Sequence, residues 1–265
     1  MERRVTNFLK ISVPVALVAL AAAWGMFSAP LAQAQSYHLF ADTRSLLAVV
    51  NAGDTLSNLA FLIVGLLGLA FLWRERAPGG TGRFISPREM RPYRVFFFGV
   101  ALTGVGSAYY HLAPDDARLI WDRLPMTIAF MSLVAAVVSE RISVRAGSLL
   151  LWPLVLLGIA SVVYWRWSAL AGTENLRPYV AVQFGSIAVV LAISILYRSR
   201  YTQGGVIFAL AAAYGVAKVV EVYDREIFEL GQWVSGHTLK HLAAAAGIYL
   251  LLRALERRGV IAWSR

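Results

Sequence analysis

Cysteine is absent from the 265 residues. That excludes disulfides, a thiolate nucleophile and any Cys-ligated zinc or iron–sulfur centre, so a metal site must draw on histidine, carboxylate and water. Charge is also scarce. Only 15% of residues are Asp, Glu, Lys or Arg, against about a quarter in ordinary soluble domains. Hydrophobic residues make up 58%, and the mean hydropathy is +0.62. Such a chain is built for lipid as its solvent. Acids are outnumbered by bases, 15 to 25, for a formal net charge of +10. The bases stand in pairs and clusters between long apolar runs, with no aromatic-interleaved basic groove, so a membrane and not nucleic acid is the expected partner.

What is abundant is uninterrupted apolar sequence. Eight runs cover 11–31, 55–73, 93–111, 119–138, 149–165, 179–197, 205–222 and 237–252. Several approach the roughly 20 residues that carry a helix across a hydrocarbon core, and all are too long for barrel strands. The connections between them are short. The expected fold is all-α: a seven-transmembrane helix bundle over residues 37–265, preceded over residues 1–36 by a signal peptide or an extra anchor helix. Arg3, Arg4 and Lys10 precede the first run, which ends in Ala29-Pro-Leu-Ala-Gln-Ala34. That is the basic start and A-x-A-like finish of a signal peptide, on a run long enough for an uncleaved anchor.

The bases also predict orientation. Seventeen of the 25 Lys and Arg fall on the side of the N-terminus, including Arg3, Arg4, Arg74, Arg76, Arg141, Arg258 and Arg265. Six fall on the other: Arg44, Arg118, Arg123, Arg166, Arg177 and Arg225. The positive-inside rule places both termini in the cytoplasm. All four histidines, His38, His111, His237 and His241, then lie toward the non-cytoplasmic face.

His237-Thr-Leu-Lys-His241 opens the last run. Residues at i and i+4 share a helix face, so both imidazoles can converge on one ion. His111, at the outer end of the third run, is a plausible third ligand. Three histidines leave the fourth zinc position open, as catalysis requires; interfacial or helix-bridging histidines are the structural alternative. Ser107 stands one turn before His111 and could support an oxyanion or simply permit close packing beside Gly104 and Gly106. Asp122, in Trp121-Asp-Arg-Leu-Pro-Met126, could shuttle a proton, or could cap a helix three residues before proline. Asp115 and Asp116 read as solvated acids. Asp54 reads as a helix cap, and Ser57 and Asn58 as groups bonding within the bundle. Lys218, Glu221 and Asp224 share helical spacing, either as ion pairs or as the lining of a polar cavity that Arg177, Tyr179 and Gln183 could also face.

Taken together, Asp54-Thr-Leu-Ser-Asn58, Gly106-Ser-Ala-Tyr-Tyr-His111, Asp122-Arg-Leu-Pro-Met126 and His237-Thr-Leu-Lys-His241 resemble the alkaline ceramidases, within the wider group of seven-helix membrane hydrolases that includes adiponectin-receptor-like proteins. The run Tyr37-His-Leu-Phe-Ala-Asp42-Thr-Arg44 is similar to that of bacterial members, which implies a bacterial plasma membrane. The resemblance implies zinc on His111, His237 and His241, water deprotonated by Asp122, Ser107 steadying the metal site or the oxyanion, and hydrolysis of the amide of ceramide. In one respect the chain departs from eukaryotic members. Their acidic calcium-binding cluster ends in glutamate where this chain has Asn51, and Asp42 is the only nearby acid. A hard cation seeking several oxygens is poorly served there, so zinc and not calcium is expected, and another N-acyl lipid would suit the same chemistry. The competing readings are a seven-helix receptor or lipid-binding protein with a structural zinc, and a haem carrier ligated by His237 or His241. The haem reading is the weaker, because an i,i+4 pair cannot reach both faces of one haem.

Overall fold

The computed structural model describes residues 2–75 and 82–262, with side chains from Leu9 onward. Arg76 and Arg265, and the side chains of Arg3 and Arg4, all counted in the charge asymmetry, lie outside the described residues. Among the described residues ten α-helices follow in order: α1 Glu2–Phe27, α2 Ala52–Ser57, α3 Leu59–Arg74, α4 Met90–Leu112, α5 Asp116–Arg141, α6 Val144–Leu170, α7 Arg177–Leu196, α8 Val206–Val222, α9 Asp224–Glu229 and α10 Gly236–Arg257. Among the described residues there is no β-strand, only two isolated bridges. Seven helical stretches are long and apolar enough to cross a membrane: α1, α2 with α3, α4, α5, α6, α7 and α10. The remaining apolar run forms α8, whose 17 residues stand at the lower limit of about 17 for a span. Large apolar side chains such as Leu149, Leu156, Leu157 and Ile195 are exposed on the outside of the bundle. That surface suits acyl chains and would be a liability in water.

Helices α3, α4, α5, α6 and α7 pack in succession, α10 lies between α8 and α3, and α1 lies along α7. The α4–α5 contact is set by a proline and a glycine. Pro125 lies inside α5 and has no N–H to offer the carbonyl one turn earlier, that of Trp121. The Trp121 carbonyl faces Gly106, where any Cβ would collide with it. The two backbones therefore approach closely at the depth of Ser107 and Asp122.

Two sequence expectations change here. Helix α5 begins more than a turn before Asp122, and its cap is Asp115, which accepts from the Arg118 amide at 2.7 Å. Asp122 is thus an interior helix residue and not a cap. Likewise, Asp54 does not cap its own helix. Asn51, in a left-handed conformation at φ 48°, precedes α2, a geometry asparagine tolerates better than most residues. The Asp54 carboxylate instead accepts from Ser235 Oγ at 2.8 Å and Thr238 Oγ1 at 2.7 Å, tying α2 to the start of α10.

The two ends of the bundle differ in chemistry. At one, Arg258 pairs with Glu140 at 2.9 Å and Arg141 donates to the Tyr197 carbonyl at 2.8 Å. At the other lie the histidines, Asp122 and the connection from α1 to α2. The first apolar run outlasts its helix, since α1 stops at Phe27 and the following residues cross the histidine end of the bundle, where the Leu31 carbonyl accepts from the Leu176 amide at 2.7 Å.

Candidate metal centre and cavity

His111 ends α4, and His237 and His241 open α10. The three are buried, and one ring nitrogen from each lies within 4.8 Å of the others. Ring centroids are separated by 4.8 Å for His111 and His237, 5.1 Å for His111 and His241, and 4.9 Å for His237 and His241. His111 Nδ1 and His237 Nε2 have no hydrogen-bond partner. Buried imidazole nitrogens normally find one, and lone pairs converging at this spacing fit a single cation.

The surroundings fix each ring. Ser57 Oγ stands 2.8 Å from His241 Nδ1 and donates to the Asp54 carbonyl at 3.0 Å. With the hydroxyl proton committed to that carbonyl, His241 Nδ1 must be the donor to Ser57, which leaves Nε2 with a free lone pair. Such outer partners orient metal-binding histidines. Asn51 Nδ2 donates to the His111 carbonyl at 2.8 Å. Asp224 accepts from the amides of His237 at 2.7 Å and Ala41 at 2.9 Å. Phe40 covers the centre, its ring centroid 4.6 Å from His111 and 4.5 Å from His237.

Beside the triad opens a cavity of about 410 Å³, within the range of small-molecule sites. His241, Ser107 and Asp122 line it, together with apolar residues including Phe96, Val100, Leu133, Val190 and Ile248. Ser107 and Asp122 line the same cavity from α4 and α5, whose backbones meet at Gly106. Glu221 bridges Lys218 at 2.6 Å and Lys240 at 2.9 Å and accepts from the Tyr37 hydroxyl at 3.5 Å. Burial, then the negative charge of Glu221, push the Tyr37 hydroxyl above its ordinary value, so it stays a neutral donor.

The three histidines therefore form one group, and His241 shares a cavity wall with Ser107 and Asp122. Tyr179 and Gln183 line the same cavity. Arg177 instead donates to Asn175 at 2.9 Å. Of the three residues spaced along the end of the seventh run, Lys218 and Glu221 both pair and line the cavity, whereas Asp224 holds backbone amides. His38 stays outside the triad, between the Tyr110 hydroxyl at 2.8 Å and Asp116 at 3.1 Å. Asp115 and Asp116 are thus engaged and not merely solvated. Asp42 is fully taken by Arg44, which reaches its two oxygens at 2.8 Å each. Those hydrogen bonds hold the Asp42 carboxyl below its usual range.

Among the cavity residues that escaped the sequence reading are Gln33, Tyr37, Arg123 and Lys240. Lys240 and Arg123 stand within the quoted motifs, and a charge inside a span was the available signal. Gln33 and Tyr37 come from the α1–α2 connection, where no periodicity marks a side chain that points inward.

A search of curated proteins returns no match. A family model described as Ceramidase matches residues 47–258, a stretch holding the three histidines, Ser107, Asp122 and helices α2 to α10. The chain belongs to the ceramidase family, membrane hydrolases that act on the amide bond of ceramide.

Proposed function

We propose that this chain is a zinc-dependent amide hydrolase that cleaves the N-acyl bond of ceramide or a related N-acyl lipid. The observation that carries the reading is the convergence of three buried imidazoles, two with partnerless nitrogens, beside a cavity lined by both Ser107 and Asp122. Neutral imidazoles with no thiolate in the chain suit zinc. His111, His237 and His241 would hold the ion, which when bound supplies Lewis acidity, polarising the amide carbonyl and lowering the pKa of water toward about 7.

The chain's own groups do the rest. Asp122 takes the proton from the attacking water at its carboxylate and delivers it to the amide nitrogen, so that the C–N bond breaks to a carboxylic acid and an amine. Ser107, on the neighbouring helix, would steady the metal site or the oxyanion from the same cavity wall. Ser57 keeps His241 in the ligating tautomer. The apolar depth of the cavity receives an acyl chain, and its polar mouth the head of the lipid.

The site faces the non-cytoplasmic side in this reading, with the C-terminus cytoplasmic, and is supported by the arginine asymmetry of the loops. An uncleaved anchor over residues 1–36 is supported by the packing of α1 on α7 and by Leu31, Ala32, Gln33 and Ala34 lining the cavity. The test separates ligand from proton carrier. His237→Ala and His241→Ala lose bound metal and turnover together, whereas Asp122→Asn keeps the metal and loses on the order of 10²–10⁴ in kcat. Full turnover by Asp122→Asn removes that residue from the mechanism.

A further inference from the structure

Arg123 is the cavity charge that the hydrolytic reading leaves unused. Its side chain is almost fully buried, at 4% exposure, and it lines the cavity with Asp122, Gln33 and Tyr37. The guanidinium carbon sits 4.4 Å from the ring centre of Trp165 and 4.8 Å from that of Tyr179, with Tyr37 at 5.7 Å. One terminal nitrogen, Nη2, donates to Gln33 Oε1. The other, Nη1, is buried with no partner.

An arginine remains charged in any protein setting. Aromatic faces orient a guanidinium and contribute roughly 0.5–2 kcal/mol, but they carry no compensating charge. A buried ion without a counter-ion is strongly destabilising. Of the nearby carboxylates, Glu221 bridges Lys218 and Lys240, and Asp122 interacts with Arg123 through charge without hydrogen-bonding either arm of the guanidinium. The planar fork of arginine matches carboxylate, phosphate and similar oxyanions, and here one arm of the fork is free.

We propose that Arg123 forms an anion subsite that receives an acidic group on the amine half of the N-acyl lipid, a carboxylate, phosphate or sulfonate. The proposal rests on the hydrolase reading for its geometry. With the acyl chain in the apolar depth and the amide at the histidines, the amine half lies toward the outer rim, where Arg123, Gln33 and Tyr37 stand. The favoured substrates are acidic N-acyl lipids over neutral ones of the same chain length.

The test uses three ligands with one acyl chain: N-palmitoylglycine, its neutral amide N-palmitoylglycinamide, and palmitate. Binding to the full-length, zinc-loaded protein in detergent is measured by competition, and hydrolysis by product release. Wild type binds N-palmitoylglycine at least tenfold more tightly than the glycinamide and cleaves it with at least tenfold higher kcat/KM. Arg123→Gln, which keeps a hydrogen-bonding amide but no charge, loses that preference by weakening the acidic lipid alone. Arg123→Lys restores part of it. Zinc content and melting temperature of each variant certify the fold. Equal binding of the two lipids by wild type, equal weakening of both in Arg123→Gln, or a charge dependence confined to palmitate overturns the proposal. Charge-dependent binding without hydrolysis upholds the subsite and overturns the hydrolase reading. Hydrolysis without charge preference does the reverse.

Discussion

Each ring of the histidine triad is set by a different neighbour, and the most telling is Ser57. Its hydroxyl proton goes to the Asp54 carbonyl, so the His241 ring must present Nε2 to the centre. Ser57→Ala removes that constraint without touching a ligand. Metal affinity is expected to fall by roughly 10–100-fold with all three histidines present, as read by competition with a calibrated chelator; unchanged affinity shows that packing alone orients the ring. At this scale the sequence was partly legible. The i,i+4 spacing of His237 and His241 announces a shared face by helix geometry alone. The role of Ser57 was not legible, because its partner lies 184 residues away and a serine inside a span has many uses. Arg123 was hidden differently: counted as a loop charge, it is an interior residue of a helix that starts before it.

Among elements, the helices follow from apolar length and the irregular pieces do not. All eight apolar runs became helices, but the first overran its helix, and the capping alternative for Asp122 falls because α5 starts earlier. Both differences sit where polar side chains, and not hydropathy, decide the boundary: Asp115 captures the Arg118 amide and so begins α5 early. Pro125 then passes through α5 because the carbonyl it leaves free meets only Gly106. The connection from α1 to α2 is fastened by Asp42 and Arg44. Arg44 also donates to the carbonyls of Gln232 and Trp233, reaching the latter at 3.0 Å, so the clamp joins this connection to the segment before α10. With the Asp42 carboxyl held below its ordinary value of 3.8, its contribution is complete above that pH and is lost as pH falls through the lower, folded-state value. Asp42→Asn is therefore expected to melt below wild type at neutral pH, and the gap to close in acid below pH 3.8. Melting curves across pH check this; a gap independent of pH assigns the effect to shape and not charge.

At the scale of the whole molecule, hydropathy placed the bundle, and charge is the sole ground for the orientation proposed, but neither could show the cavity, which arises from how α5, α7, α8 and α10 leave space between them. The basic end is built by Arg141 and Arg258, buried against carbonyls and Glu140, as well as by solvated charges. The account expects a C-terminal fluorescent fusion to light up in the cytoplasm and a C-terminal alkaline phosphatase fusion to stay inactive; the opposite pattern turns the site to the other face. The central claim is that one bound ion on three histidines drives amide cleavage. The most direct measurement is elemental analysis of the purified protein, made alongside release of fatty acid from ceramide and other N-acyl lipids. The account predicts one zinc per chain, with hydrolysis that disappears on chelation and returns with zinc. Hydrolysis by protein free of metal, or zinc retained in full by His237→Ala and His241→Ala, would contradict it.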